Sequence, residues 1–162
     1  MSTRTDLLII GGGLAGLATA LSVADELDVI VLVKRDLMES NTRYAQGGIA
    51  AVLDSTDSFD LHVADTLGAG AGLCHRDVVE FVVREGPLAA RTLVDWGVQF
   101  DGADGAPALA REGGHSRRRI SRVKDQTGAA VQNSLVRKVR AHPRITVLEQ
   151  HMAVDLIARH RV

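Results

Sequence analysis

Cysteine is nearly absent. Cys74 is the only one in 162 residues, so an intrachain disulfide, a thiolate metal cluster and a redox CxxC pair are all excluded, and a reducing cytoplasmic compartment is expected. Aromatic residues make up only 3% of the chain, too few to interleave with its arginines as a nucleic-acid surface requires. Neither sign of charge is in excess. A formal net charge of −1 gives no whole-chain attraction to nucleic acid or to an anionic membrane, so partners have to be argued from sites. The run "LLIIGGGLAGLATALSVA" resembles a signal peptide or membrane helix only superficially, because its glycine triplet follows a short β-type run and Asp25-Glu26 close it. His62, His75, His142, His151 and His160 show no ligand spacing, and no metal is assigned. What is present, 46% hydrophobic and 24% charged residues, is ordinary for one soluble globular domain across residues 1–162, and no repeat, low-complexity segment or dividing linker interrupts it.

Apolar periodicity lays out the elements. "DLLII" (Asp6 to Ile10) is an all-apolar run suited to a central parallel strand buried on both faces. "GGGLAGLATALSVADEL" places Leu14, Leu17, Leu21 and Ala24 at helical spacing, and "DVIVLVK" is a second buried-strand run. Together they make a βαβ unit. "SFDLHVADTLGAGAGL" and "RDVVEFVVREGPLAARTLVDWG" predict helices, with Asp77 as a cap or first-turn acid and a break at Gly86-Pro87. Short extended pieces follow in "VQFDGADGAPALAREGGHSRRRISRVKD", and then a helix in "TGAAVQNSLVRKVRAHP", capped by Thr127 and ended before Pro143. "RITVLEQHMAVDLIARHRV" reads as two strand-like runs. A polar break at Arg159-His160 puts Val162 where a returning strand would begin, so the chain is expected to stop inside a hairpin, as the N-terminal part of a longer protein.

Between the first strand and its helix, Gly11-Gly12-Gly13-Leu14-Ala15-Gly16 satisfies GxGxxG. Gly11 permits the tight turn, Gly13 lets the backbone reach a pyrophosphate, and Gly16 allows helix and strand to pack closely. The helix N-terminus adds free N–H donors and a dipole worth roughly 0.3–1 kcal/mol to an anion. The dinucleotide fingerprint then expects an acid about 20 residues on, at the end of the second strand, but "VLVKRD" offers Lys34. Either Lys34 donates to a ribose or phosphate, or Asp36 or Glu39 substitutes, or Lys34 is a solvated strand end. The stretch "NTRYAQGGIAAV", from Asn41 to Val52, fits neither an amphipathic helix nor an alternating strand. Its Gly47-Gly48 pair reads as a ligand-facing loop or as an ordinary turn.

"REGGHSRRR" is the other chemistry-bearing run. Glu112 is its only acid, among Arg111, His115, Arg117, Arg118 and Arg119. A dicarboxylic amino acid needs cationic donors and one carboxylate for its ammonium, and this run has both. Glu112 is equally readable as a surface salt bridge to a neighbouring arginine, the arginines as a solvated basic face, and His115 as a carboxylate ligand or a hydrogen-bonded turn residue.

GGGLAGL near the N-terminus, the basic residue after the second strand, NTRYAQGGIAAV, and REGGHSRRRI followed by KDQTGAAVQNSLVRKV together resemble the L-aspartate oxidase family, within the fumarate reductase and succinate dehydrogenase flavoprotein superfamily. The resemblance spans Asp6 to Val162. It implies an α/β fold, a Rossmann-like FAD-binding βαβ domain with a helical insertion, truncated before the capping domain and without the C-terminal helical domain. FAD is then expected on the Gly11 to Gly16 turn and Lys34. The loop of Asn41, Thr42, Arg43, Tyr44, Ala45, Gln46, Gly47 and Gly48 would run along the flavin, with Met152 and Ala153 near the adenine. Respiratory members carry a flavin-linking histidine five residues before the glutamine of AQGG; here that position is Asn41, which implies non-covalent FAD.

The implied reaction is oxidation of L-aspartate to iminoaspartate, for quinolinate and NAD synthesis, with oxygen or fumarate as acceptor and a functional link to quinolinate synthase. Glu112 would orient the substrate ammonium, and Gln46 and His115 would contact substrate. An arginine that transfers the proton, and further Arg and His ligands, would lie beyond Val162, leaving the isolated chain inactive. A soluble, non-covalent fumarate reductase and a non-catalytic nucleotide-binding piece are the alternatives. Membrane and nucleic acid are not expected as partners.

Overall fold

The computed structural model describes residues 3–103 and 106–158. In chain order the elements are β1 (Leu7–Ile10), α1 (Leu14–Val23), β2 (Val29–Leu32), a 3-10 turn (Asn41–Tyr44), β3 (Ile49–Ala50), α2 (Phe59–Ala69), α3 (Arg76–Asp95), β4 (Gly102–Ala103), β5 (Ala106–Pro107), β6 (Ile120–Ser121), α4 (Thr127–Ala141) and β7 (Ile145–Leu148). They fall into two compact units: Met1–Tyr44 with Val131–Val162, and Ala45–Ala130. The second is an insertion into the first.

The first unit is a three-stranded sheet of order β1-β2-β7, parallel throughout, with Leu7 opposite Val29 and Val29 opposite Ile145. Leu17, Val29, Val31, Leu37, Leu135 and Val139 are buried and form its core. β2 is the central strand, and Val29, Ile30 and Val31 are all buried. This corrects the reading of Asp6 to Ile10 as a strand buried on both faces. β1 stands at the edge of the described sheet, and Leu8 and Ile10 are 45% and 51% exposed. An apolar run marks a strand, but which strand has neighbours is a property of the sheet order.

Past β7 the His151 N–H donates to the Val33 carbonyl at 3.0 Å. Residues 152–158 are exposed and form no strand, so the second strand expected in "AVDLI" is corrected. A strand exists only where a neighbour takes its backbone groups, and among the described residues these have none. The break at Arg159-His160 and Val162 lie outside the described residues.

In the second unit, α2 is capped by Ser58, whose Oγ accepts the Leu61 N–H at 3.2 Å, and it packs on α3. α3 is continuous through Pro87, against the expected break, with Asp77 in its first turn. Pro87 is buried on one stripe with Val83, Ala90 and Leu93. Burying Val83 and Leu93 contributes roughly 1.5–3 kcal/mol apiece, enough to offset the approximately 3 kcal/mol that an interior proline costs. β3 pairs antiparallel with β6, Ile49 opposite Ser121. That approach explains Gly48, since a Cβ there would sit 2.6 Å from the Ser121 carbonyl oxygen.

The Thr127 cap is also corrected. The Gln126 carbonyl accepts the Ala130 N–H, which puts the cap position at Gln126, and Thr127 Oγ1 instead accepts the N–H of Val123 at 3.1 Å. Among the described residues no helix is long and apolar enough to cross a membrane.

Candidate functional site: a glycine-turn cleft and a buried ionic cluster

The cleft of the first unit is built around the end of β1. Gly11 takes φ +117° to turn the chain into α1, and a Cβ on Gly16 would overlap the Gly11 carbonyl oxygen. The Gly12 carbonyl is held by Gln132, whose buried Nε2 donates to it at 2.9 Å and to the Leu37 carbonyl at 2.8 Å. Gly13 occupies the N-cap of α1 and has no side chain to cap with. Thr42, from the 3-10 turn, does it instead, its Oγ1 accepting the Leu14 N–H at 3.0 Å. The other N–H groups of the first turn lack intrahelical acceptors by geometry and remain as donors.

This cleft, of about 560 Å³, is lined by Gly11, Gly12 and Gly13, by Lys34 past β2, by Asn41 and Thr42, and by Met152 and Ala153 past β7. Those eight residues, expected from sequence, are brought together within one unit. Leu14, Ala15, Gly16, Arg43 and Tyr44 do not line it. Asp36 and Glu39 do, but both are engaged. Asp36 Oδ1 accepts the Met38 N–H at 2.7 Å, and Glu39 accepts the Tyr44 hydroxyl at 3.0 Å, a bond that raises the Tyr44 pKa above its ordinary value. Lys34 has no ion pair among the described residues, and of the three candidates it is the cation.

The remaining expected residues lie in the second unit. Gln46 and Gly47 are exposed, and the Ala45 carbonyl accepts the Gly128 N–H at 3.0 Å. Glu112 is exposed and forms no ion pair among the described residues, which sets aside its reading as a surface salt bridge. Its carbonyl accepts the His115 N–H at 3.3 Å across a turn in which Gly114 has φ +82°.

Arg119 is corrected from a solvated or substrate-facing cation to a buried one. Its side chain is 0% exposed. Nε and Nη2 each donate at 2.7 Å to a different Asp57 oxygen, and Nη1 donates to Asp65 Oδ2. Asp65 also accepts the Ser116 N–H at 2.7 Å and its hydroxyl at 2.8 Å. The Arg119 hydrogen bond holds Asp57 below the usual carboxylate range, and the same bond raises Arg119. For Asp65, burial pushes upward, but the Ser116 and Arg119 hydrogen bonds outweigh it and bring the pKa to about 2. Burial, and then the charge of Arg119, push the His62 imidazole below its ordinary value.

Against known proteins, residues 6–162 match the family described as FAD binding domain. The chain belongs to that family. L-aspartate oxidase 1 of Ralstonia nicotianae is 52% identical, over 94% of this chain and 29% of its own length. The L-aspartate oxidase of Vibrio cholerae is 48% identical, over 98% and 31%. Among solved structures, a quinol-fumarate reductase with menaquinol molecules has a TM-score of 0.90 at 32% identity, over 99% of this chain and 29% of that one. An E. coli quinol fumarate reductase has 0.88 at 32% identity, over 94% and 27%. The chain spans about three-tenths of the length of the curated relatives it matches.

The first-unit cleft fits what an FAD binding domain must hold. Among the described residues a Cβ on Gly13 would meet only Thr42 Oγ1, at 3.7 Å, so no contact within the protein requires glycine there, and the turn leaves open space for a ligand. Two participants went unread in the sequence. Gln132 was visible only as a polar residue on the buried stripe of Leu135 and Val139. The Asp57–Arg119–Asp65 cluster had no local signal at all, because its members lie 62 and 54 residues apart.

Proposed function

We propose that the protein carrying this chain is an FAD-dependent L-aspartate oxidase, forming iminoaspartate in the cytoplasm for quinolinate synthase to consume. The observation that carries the reading beyond the family is Glu112, an exposed carboxylate without an ion pair among the described residues, inside an arginine-rich turn, in a chain whose relatives at 48–52% identity are L-aspartate oxidases. FAD, when bound, supplies a two-electron acceptor for the hydride of the substrate α-carbon, and oxygen or fumarate takes the electrons onward. Everything else falls to side chains and backbone. The Gly11–Gly16 turn and the α1 N-terminus receive the pyrophosphate. Lys34 donates to ribose or phosphate, and Met152 and Ala153 border the adenine. Asn41 has a carboxamide where a covalent link needs an imidazole, so the cofactor is held by these contacts alone. Gln46 and Gly47 serve the flavin ring and substrate. Glu112 accepts the substrate ammonium, and His115 donates to a carboxylate.

A non-covalent fumarate reductase is the second reading, favoured by the 32% identity to fumarate reductase structures. Glu112 separates the two, since fumarate has no ammonium. In the complete protein, Glu112→Gln should cost L-aspartate oxidation about ten-fold to over a hundred-fold in kcat/KM, the worth of one charge-assisted bond of roughly 1.5–3 kcal/mol. Fumarate reduction should persist or improve, because a negative charge beside a dianion is removed. Equal losses with both substrates would make Glu112 structural and sink the reading.

A further inference from the structure

The buried cluster of the second unit does more than neutralise charge. A guanidinium carries five N–H donors, has no acceptor and stays protonated in proteins. In Arg119, Nε and Nη2 grip both Asp57 oxygens, and Nη1 divides its two hydrogens between Asp65 Oδ2 and the Nδ1 of His115, 3.1 Å away. An atom that accepts from a group able only to donate must present a lone pair. His115 Nδ1 is therefore unprotonated, and the neutral ring carries its hydrogen on Nε2. Three further features hold the ring in place. Arg119 is fully buried and cannot swing away, the His115 N–H is tied to the Glu112 carbonyl, and the His62 ring packs against the imidazole at 5.7 Å between centroids.

We propose that Arg119 is a positioning residue, anchored by Asp57 and Asp65, that fixes His115 as an Nε2–H donor for a substrate carboxylate. The substrate half of this rests on the reading of the protein as an L-aspartate oxidase; the tautomer half does not. The opposite tautomer would present a lone pair to a carboxylate and repel it. The arrangement also makes the turn bifunctional, with Glu112 to accept an ammonium and His115, three residues on, to donate to a carboxylate.

Nitrogen-15 NMR of histidine-labelled protein, with His115 assigned by its loss in His115→Asn, reads the tautomer directly. Nε2 is expected to carry the bonded proton and Nδ1 to show a bare lone pair. A proton on Nδ1 overturns the proposal. In Arg119→Lys a single ammonium cannot hold both Asp57 oxygens and reach His115 as well, so a mixture of tautomers is expected. Should that variant fail to fold, His115→Asn carries the functional test, because its carbonyl oxygen can still accept from Arg119 while nothing replaces the Nε2–H. Its unfolding midpoint should match that of the parent, while KM for L-aspartate rises about ten- to a hundred-fold, the loss of a bond to a charged group. An unchanged KM overturns the substrate-facing role. If Glu112→Gln likewise leaves L-aspartate oxidation untouched, the substrate reading has failed as a whole, and the tautomer spectrum still decides what Arg119 does.

Discussion

Gly13→Ala separates a glycine required by a ligand from one required by the fold. The added methyl would find only Thr42 Oγ1, at 3.7 Å, an ordinary contact. Gly13 has φ −77°, which alanine adopts freely. Glycine is a better N-cap than alanine by roughly 0.5–1 kcal/mol, but alanine restricts the unfolded chain by a similar amount, about 0.4–1 kcal/mol, so the FAD-free protein should unfold at nearly its parent midpoint. Binding is a different matter. The methyl projects where a pyrophosphate must approach the α1 N-terminus, and losing one charge-assisted N–H bond, about 1.5–3 kcal/mol, plus about 0.3–1 kcal/mol of dipole attraction, weakens FAD by roughly twenty-fold to several hundred-fold. Gly16→Ala is the control. Its Cβ overlaps the Gly11 carbonyl oxygen and comes within 3.2 Å of Ile9 Cγ2, so it should destabilise the FAD-free fold by about 1–3 kcal/mol. Urea unfolding without cofactor, followed by flavin-fluorescence titration, measures both quantities in both variants. Unchanged FAD affinity in Gly13→Ala, or an FAD-free destabilisation as large as that of Gly16→Ala, would refute the reasoning.

Arg119→Met should destabilise the protein by about 3–5 kcal/mol in urea unfolding, because Asp57, 1% exposed, and Asp65 would be left without their cation. Asp57 and Asp65 have folded pKa values depressed below 3.8, Asp65 to about 2; their contribution is complete above the unfolded value and should be lost as pH falls from about 4 toward 2, seen as a falling unfolding midpoint. His62 is a base with a depressed folded pKa, so the unfolded chain binds its proton more readily, and stability should fall as pH drops below 6.5. His62→Gln should flatten that part of the profile. Acid precipitation of the loaded protein should leave flavin in the supernatant, since Asn41 offers no attachment; colour retained in the pellet would contradict this.

Local chemistry was enough to find the strand, turn and helix around Gly11 to Gly16, the start of α4 near Thr127 and the lack of an amphipathic helix or alternating strand across Asn41 to Gly48. Each rests on residues within a few positions of one another, where period and glycine placement carry the signal. The resemblance in REGGHSRRRI and AQGGI then pointed to flavin chemistry. Tertiary structure decided the rest. It made β2 rather than β1 the central strand of the described sheet, and it carried α3 through Pro87 because the proline ring is buried with Val83 and Leu93. It gathered Gly13, Lys34, Thr42 and Met152 around one cleft. Above all, it sorted the arginines of one run, leaving Arg117 and Arg118 exposed while burying Arg119 against two carboxylates. Three adjacent guanidinium groups are chemically identical in the sequence. Only the neighbours supplied by distant segments determine which of them loses its water, and burial of a charge is tolerated only where the chain returns with its counter-charge.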